Sequence, residues 1–173
     1  MKVIFVDVDG PLAYGTYMEG RFKIGKISMP YPWVKEACDA LAQIIKETDA
    51  KVVISSDWKL HYTLEQLGQI FEHYNIPNVI IDKTHAKRTS AFSYELELER
   101  STQIMDWVDE HKDEIESWIA IDDLRLDGYF GRATAERPHI LAENHIWLEG
   151  DWSDVNAKLH ENVEKIVNHL NKK

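Results

Sequence analysis

Asp7 and Asp9 are the residues of this chain best placed to do chemistry. They stand at i and i+2 in Asp7-Val8-Asp9-Gly10-Pro11-Leu12, directly after the apolar run Val3-Ile4-Phe5-Val6. Such a run reads as a buried strand, which here delivers two carboxylates into a glycine-containing loop. Side chains alternate along a strand, so acids two apart share one face where the chain stays extended. Like charges held together need a counter-charge. A divalent cation supplies it, and carboxylate oxygens suit Mg²⁺ better than zinc or copper. Asp7 and Asp9 are thus the first candidate metal ligands.

Two other apolar runs end in polar groups of the same kind. Lys51-Val52-Val53-Ile54 runs into Ser55-Ser56-Asp57-Trp58, and Trp118-Ile119-Ala120-Ile121 runs into Asp122-Asp123. Between the runs lie helical patterns. Val34, Ala37, Cys38, Leu41, Ile44 and Ile45 predict a helix from Trp33 to about Lys46, and a second follows from about Thr63 with Leu64, Leu67, Ile70, Phe71 and Tyr74 inward. Val79-Ile80-Ile81 predicts a third short strand. The stretch from Asp82 to Glu95 shows no clear period and is expected to be a loop, with Arg100 opening the next helix over Ile104, Trp107 and Val108. Ile140-Leu141-Ala142 and an amphipathic C-terminal helix carrying Val155, Leu159, Val163, Ile166, Val167 and Leu170 complete the pattern.

Short β-branched runs alternating with helices predict an α/β fold with a central parallel sheet and helices on both faces, three layers in all. In such sheets the ligand crevice lies outside the carboxyl ends of the strands. Asp7 and Asp9, Ser55 and Ser56, and Asp122 and Asp123 all occupy such ends, so three strands converge on one site. Tyr14 to Lys26, with its glycines and mixed aromatic and basic residues, reads as a hairpin or flap within an insert over residues 13–32.

The composition narrows the function classes. With 173 residues and 44% hydrophobic content, one compact domain over 1–173 is expected. Lys and Arg number 20 against 30 acids, a formal charge of −10, which repels a polyanion and disfavours non-specific coating of nucleic acid. A local basic patch could still seat one phosphate. No apolar run reaches the roughly 20 residues that span a bilayer, and the N-terminus lacks a signal-peptide layout, so a cytoplasmic protein without membrane contact is expected. Cys38 is the only cysteine; it forms no intrachain disulfide, has no zinc-spaced neighbours and reads as core filler.

Asp7-x-Asp9-Gly10, a Ser after a β-run, a basic residue and the Asp122-Asp123 pair, in that order, resemble the four motifs of the haloacid dehalogenase-like (HAD) phosphatases. Within that superfamily the chain is most similar to the HAD domain of Swiss Army Knife RNA repair proteins, over Val3–Gly10, Val52–Lys59, Arg100–Trp107 and Ile119–Asp123. The Asp-Val-Asp-Gly-x-Leu-Ala run also resembles 5′(3′)-deoxyribonucleotidases. The resemblance implies a Rossmann-like fold and a Mg²⁺ cofactor, and it implies residue roles. Asp7 would be the nucleophile, forming an acyl phosphate. Asp9 would serve as general acid and base, with its backbone carbonyl rather than its carboxylate facing the metal. Ser55 or Ser56 would hydrogen-bond the phosphoryl group, and alternation lets only one of them point inward. Arg100 would clamp nucleophile and phosphate with a bidentate fork, with Lys83 as second choice and Lys87 and Arg88 as further competitors. Asp122 and Asp123 would complete the metal shell with Asp7, and Asp127 follows at a spacing the superfamily uses. The family more often carries Thr or Val where this chain has Pro11, which removes an amide donor from the loop.

Each piece has a plainer reading. A serine pair after a strand is commonly a helix cap, Trp58 and Trp107 read as packing residues, and the eight histidines show no metal spacing. The span from Leu12 to Trp33 is too short for a separate lid domain, so only a minimal cap and an open site are expected. Arg21, Lys23 and Lys26 make the flap basic, and Tyr14, Tyr17 and Phe22 could stack on a base. The expected function is a phosphomonoesterase for a nucleotide or a phosphorylated nucleic-acid end. A phosphatase or phosphotransferase for a small phosphorylated metabolite, and a non-catalytic metal-binding interaction module, are the alternatives. Nothing in the sequence specifies an oligomeric state.

Overall fold

The computed structural model describes residues 1–13, 22–85, 93–126, 145–148 and 159–172. Strands β1 (Lys2–Val6), β4 (Lys51–Ile54), β5 (Ile80–Lys83), β6 (Ser117–Asp122) and β7 (His145–Trp147) form a parallel sheet in the order β5-β4-β1-β6-β7. A separate antiparallel hairpin pairs β2 (Phe22–Ile24) with β3 (Ile27–Met29). Helices α1 (Lys35–Thr48), α2 (Leu64–His73), α3 (Ser93–Glu110) and α4 (Val163–Asn171) cover the parallel sheet. The expected α/β architecture of a central parallel sheet between helical layers is what the chain adopts. Among the described residues, no helix is long and apolar enough to cross a membrane.

Strand alternation divides the core in two. Ile4, Val6, Val52, Ile54, Ile119 and Ile121 pack with residues of α1, α2 and α4, whereas Val3, Phe5, Val53, Trp118 and Ala120 pack with Ile104, Met105, Trp107 and Val108 of α3. β1 is the central strand, and its partners are in step: Val6 lies opposite both Ile54 and Ile121. One residue on, the register brings Asp7, Ser55 and Asp122 side by side. The Asp7 amide donates to Ile121 O at 3.0 Å and the Ser55 amide to Val6 O at 3.1 Å. By parity these three residues belong with Phe5, Val53 and Ala120, on the face covered by α3.

Local signals set most of the boundaries. Thr63 caps α2 by accepting from the Gln66 amide while the Gln66 side chain accepts from the Thr63 amide, a reciprocal capping box. α1 starts at Lys35 and runs on to Thr48, later at both ends than expected, and Asp49 closes it in the left-handed region. Gly25, with φ of 56°, makes the hairpin turn.

Two boundaries differ from expectation in a way that matters. β5 runs through Asp82 and Lys83 instead of covering Val79–Ile81, because Val53 and Ile54 of β4 pair with those two residues. Arg100 does not open a helix. α3 begins at Ser93, so Arg100 is well inside it, and the Glu95-Leu96-Glu97-Leu98 alternation had hidden the helical period. The hairpin lies at 22–29, later than the expected Tyr14–Lys26; Tyr14, Tyr17 and Arg21 fall outside the described residues, as do Lys87, Arg88, Asp127, Ile140–Ala142 and Val155.

Phe5 is fully buried beneath the site, meeting Trp107 and Trp118 edge-on at 5.5 and 5.6 Å between ring centroids. Phe5→Ala removes that junction between β1 and α3 and is expected to lower stability by about 3–5 kcal/mol, read as a fall in the urea midpoint.

Candidate active site

The charged centre of the site is Arg100, whose side chain is only 11% exposed. Its Nη1 stands 3.1 Å from Asp7 Oδ1 and 2.7 Å from Asp122 Oδ2, and Nη2 lies 3.9 Å from Asp57 Oδ1. α3 crosses the sheet face on which Asp7 and Asp122 stand, so a long side chain from mid-helix reaches both strand ends at once. Asp7 and Asp122 are almost wholly buried, and the guanidinium is the cation that makes their burial tolerable.

Asp123 joins Asp7 and Asp122 in a cluster. One oxygen from each of Asp7, Asp122 and Asp123 falls within 4.8 Å of the others. Three crowded carboxylates against one guanidinium leave excess negative charge, and the donors are all hard oxygens, so the residues present fit a hard divalent cation. The protonation behaviour agrees. Burial pushes the carboxyl of Asp122 upward, with Asp7 adding to it and Arg100 opposing. Burial raises Asp123 as well, helped by the charges of Asp7 and Asp122. A bound cation would reverse both tendencies.

Asp9 is held apart from this cluster. β1 stops at Val6, and the chain turns tightly: Gly10 donates to Ala13 O at 2.7 Å, and Leu12 and Ala13 both donate to Val8 O at 2.9 Å. The loop is thus braced by amides on either side of Pro11, so a missing N–H at that position leaves it intact. Alternation does not extend to Asp9. Its Oδ1 accepts from the Trp58 indole N–H at 3.0 Å and from the Tyr31 hydroxyl in a short contact. Burial raises the Asp9 pKa; the two hydrogen bonds oppose that, and Asp7 adds to it.

The two serines separate clearly. Ser56 Oγ accepts from the Trp58 amide at the start of the 3₁₀ turn Asp57–Leu60, which is the capping role. Ser55 Oγ is buried and has no hydrogen-bond partner among the described residues. A buried hydroxyl without a partner is costly, and this one sits at a strand end beside Asp7. Lys83 does not reach the carboxylates: its Nζ donates to the carbonyls of Lys59 and Tyr62 at 2.9 and 3.4 Å.

Four contributors were not assigned from sequence. Tyr31, Trp58 and Asp57 touch Asp9 or Arg100, and Lys59 is a buried lysine whose Nζ donates to Ser55 O at 3.2 Å, to Thr84 Oγ1 at 2.7 Å and to Gln103 Oε1. Its three donors tie the end of β4 to β5 and α3. Burial, then the charge of Arg100, pushes the Lys59 ammonium down to about 8, against the pull of Asp57 and Asp7. The signals were present only in part: the basic residue after Ser55-Ser56-Asp57-Trp58 was visible, but contacts across distant segments carry no local pattern.

The family profile of the HAD domain in Swiss Army Knife RNA repair proteins matches residues 3–153. The chain belongs to that family. No curated protein and no solved structure matches it. For this HAD domain, the matched span takes in Asp7, Asp9, Ser55, Arg100, Asp122 and Asp123 together, and membership supports an enzyme of the hydrolase or phosphatase type with a divalent metal.

Two outcomes follow for the HAD domain's site. Gly10 has φ of +98°, and a Cβ there would stand 2.4 Å from Asp123 Oδ2, so Gly10→Ala must displace the Asp123 carboxylate. Divalent-cation affinity measured by calorimetry is expected to fall about tenfold or more. The second concerns Lys59. Its folded value near 8 lies below the ordinary 10.5, so the unfolded chain binds the proton more tightly and stability gains as pH rises between these values. Relative to Lys59→Met, the wild type should gain stability across that window in denaturant titrations.

Proposed function

We propose that the chain is a cytoplasmic Mg²⁺-dependent phosphomonoesterase that works through an aspartyl-phosphate intermediate, on a nucleotide or a phosphorylated nucleic-acid end. The observation that carries this reading is the cluster of Asp7, Asp122 and Asp123 at the carboxyl ends of adjacent parallel strands, with Arg100 bridging Asp7 and Asp122. The substrate class is supported by the family, whose name refers to RNA repair.

In the first step an Asp7 oxygen attacks phosphorus, the bond from phosphorus to the leaving oxygen breaks, and Asp9 gives that oxygen its proton. In the second, water attacks the aspartyl phosphate, Asp9 takes the water's proton, and the bond between Asp7 and phosphorus breaks to release phosphate. Splitting the displacement in two lowers each barrier, and a positioned acid/base adds about 10²–10⁴-fold. Arg100 keeps Asp7 fixed and brings positive charge beside the attacked centre. Ser55, whose hydroxyl has no partner among the described residues, donates to a phosphoryl oxygen. Asp7, Asp122 and Asp123 would hold the Mg²⁺ ion, which when bound offsets charge on the phosphoryl group.

Asp7→Asn is expected to abolish hydrolysis of an aryl phosphate in Mg²⁺ while the circular dichroism spectrum and melting temperature stay near those of the wild type; undiminished turnover would refute the mechanism. A panel of mononucleotides, sugar phosphates and 3′- or 5′-phosphorylated oligonucleotides tests the substrate. Nucleotides or oligonucleotide ends should lead, and a preference for sugar phosphates would assign the chain to metabolite chemistry instead.

A further inference from the structure

Among the described residues, the acid/base carboxyl of Asp9 is held by one oxygen only. Oδ1 accepts both the Tyr31 hydroxyl and the Trp58 indole N–H, the latter at 3.0 Å. Among the described residues, none donates to Oδ2, and Asp9 as a whole is half-buried rather than sealed. The two donors are themselves fixed. Trp58 is buried, lies in the 3₁₀ turn after β4 and packs edge-on against Trp33 and in a stack on Tyr62, with centroids 5.5 and 5.0 Å away. Tyr31 follows the hairpin between Pro30 and Pro32, where proline limits the backbone, and its ring tilts against Trp58 at 6.3 Å. The hairpin is anchored in turn, since the Tyr62 hydroxyl donates to Ser28 O at 2.9 Å.

We propose that Tyr31 and Trp58 are positioning residues for the acid/base: by occupying Oδ1 of Asp9 they make Oδ2 the oxygen that gives the proton to the leaving group and takes it back from water. This rests on the proposed phosphatase reading. A carboxylic acid has one proton and two oxygens, and an oxygen that already accepts two hydrogen bonds is the poorer place for it. Without the donors, the carboxyl can rotate and present either oxygen, so the fraction of molecules with the proton aimed at the leaving oxygen falls. The end of the 13–32 insert then has a chemical purpose: Tyr31 supplies a hydroxyl to the acid. In the first step the proton leaves Oδ2 as the bond to the leaving oxygen breaks, and Asp9 becomes a carboxylate. In the second step Oδ2 takes a proton from the attacking water and is restored.

A leaving group that is already a stable anion needs no proton, whereas a poor one does. The test therefore measures kcat/KM in Mg²⁺ for a series of aryl phosphates, from dinitrophenyl to unsubstituted phenyl, and for an alkyl phosphate. Tyr31→Phe removes one hydroxyl, and Trp58→Phe removes the indole donor, with melting curves to check folding. Asp9→Asn gives the limit with no acid. The expected result is a loss of about tenfold in Tyr31→Phe on the phenyl and alkyl esters and almost none on the dinitrophenyl ester, so that the dependence on leaving-group pKa steepens toward that of Asp9→Asn. Trp58→Phe should steepen it in the same sense.

An equal loss across the series in Tyr31→Phe, or no loss at all, overturns the positioning role while Asp7→Asn inactivity leaves the phosphatase reading standing. Turnover that survives Asp7→Asn, or a wild type without turnover on any ester, overturns the phosphatase reading and this inference with it.

Discussion

The contact between the Arg100 guanidinium and the carboxylates of Asp7 and Asp122 is the constraint around which the rest of the site is arranged. Two acids on neighbouring strands of a parallel sheet are buried where each would be heavily penalised alone. One Nη1 atom lies within 3.1 Å of both. That contact exists only because Arg100 is inside α3 and α3 lies on the sheet face to which Asp7, Ser55 and Asp122 belong. Phe5, Trp107 and Trp118 fix the distance between helix and sheet directly beneath it. Replacing a buried charged group of this kind by well-packed apolar side chains is often neutral or stabilising. The arrangement therefore makes sense as a site more than as a source of stability.

The charge balance carries the same message. One guanidinium contacts Asp7 and Asp122, with Asp57 at its edge, and Asp123 adds a third carboxylate to the cluster. Burial raises the pKa of both Asp122 and Asp123, the response of carboxyl groups that lack sufficient positive charge. Gly10 is part of this crowding: its lack of a Cβ lets the loop after β1 approach the Asp123 carboxylate more closely than any other residue could. A site that needs added positive charge, and that also holds at Ser55 a buried hydroxyl without a partner among the described residues, suits an ion and an anionic group arriving together.

Much of this was legible from local pattern, and the parts that were not have a common cause. The strands under the site are short β-branched runs ending in Asp or Ser, so their type and the convergence of their ends could be read directly. Arg100 was identified as a basic residue of the right order but with the wrong place in its helix. Tyr94-Glu95-Leu96-Glu97-Leu98-Glu99 alternates with period two and so conceals a helix whose Leu98 is exposed. Parity separates Ser55 from Ser56 only once the register with β1 is known, because the two are adjacent in the chain and both are buried. Lys59 and Gln103 are 44 residues apart, and Tyr31 and Asp9 are 22 apart; contacts at such separations depend on the packed fold and leave no periodic trace.

The two aspartates that stand two positions apart are served by different layers of the protein. Asp7 continues the alternation of β1 and meets Arg100 from the α3 side. Asp9 lies past the end of the strand, in the turn braced by Gly10, Leu12 and Ala13, and meets Trp58 and Tyr31, which pack with the core on the opposite side of the sheet. If the chain remained extended to Asp9, both carboxylates would face α3 and share one guanidinium, and their environments would be alike. The turn prevents this. The acid and nucleophile roles proposed for them call for two carboxyl groups in unlike surroundings, one against a fixed cation and one partly desolvated against neutral donors. Ending β1 at Val6 is what allows a three-residue segment to hold both.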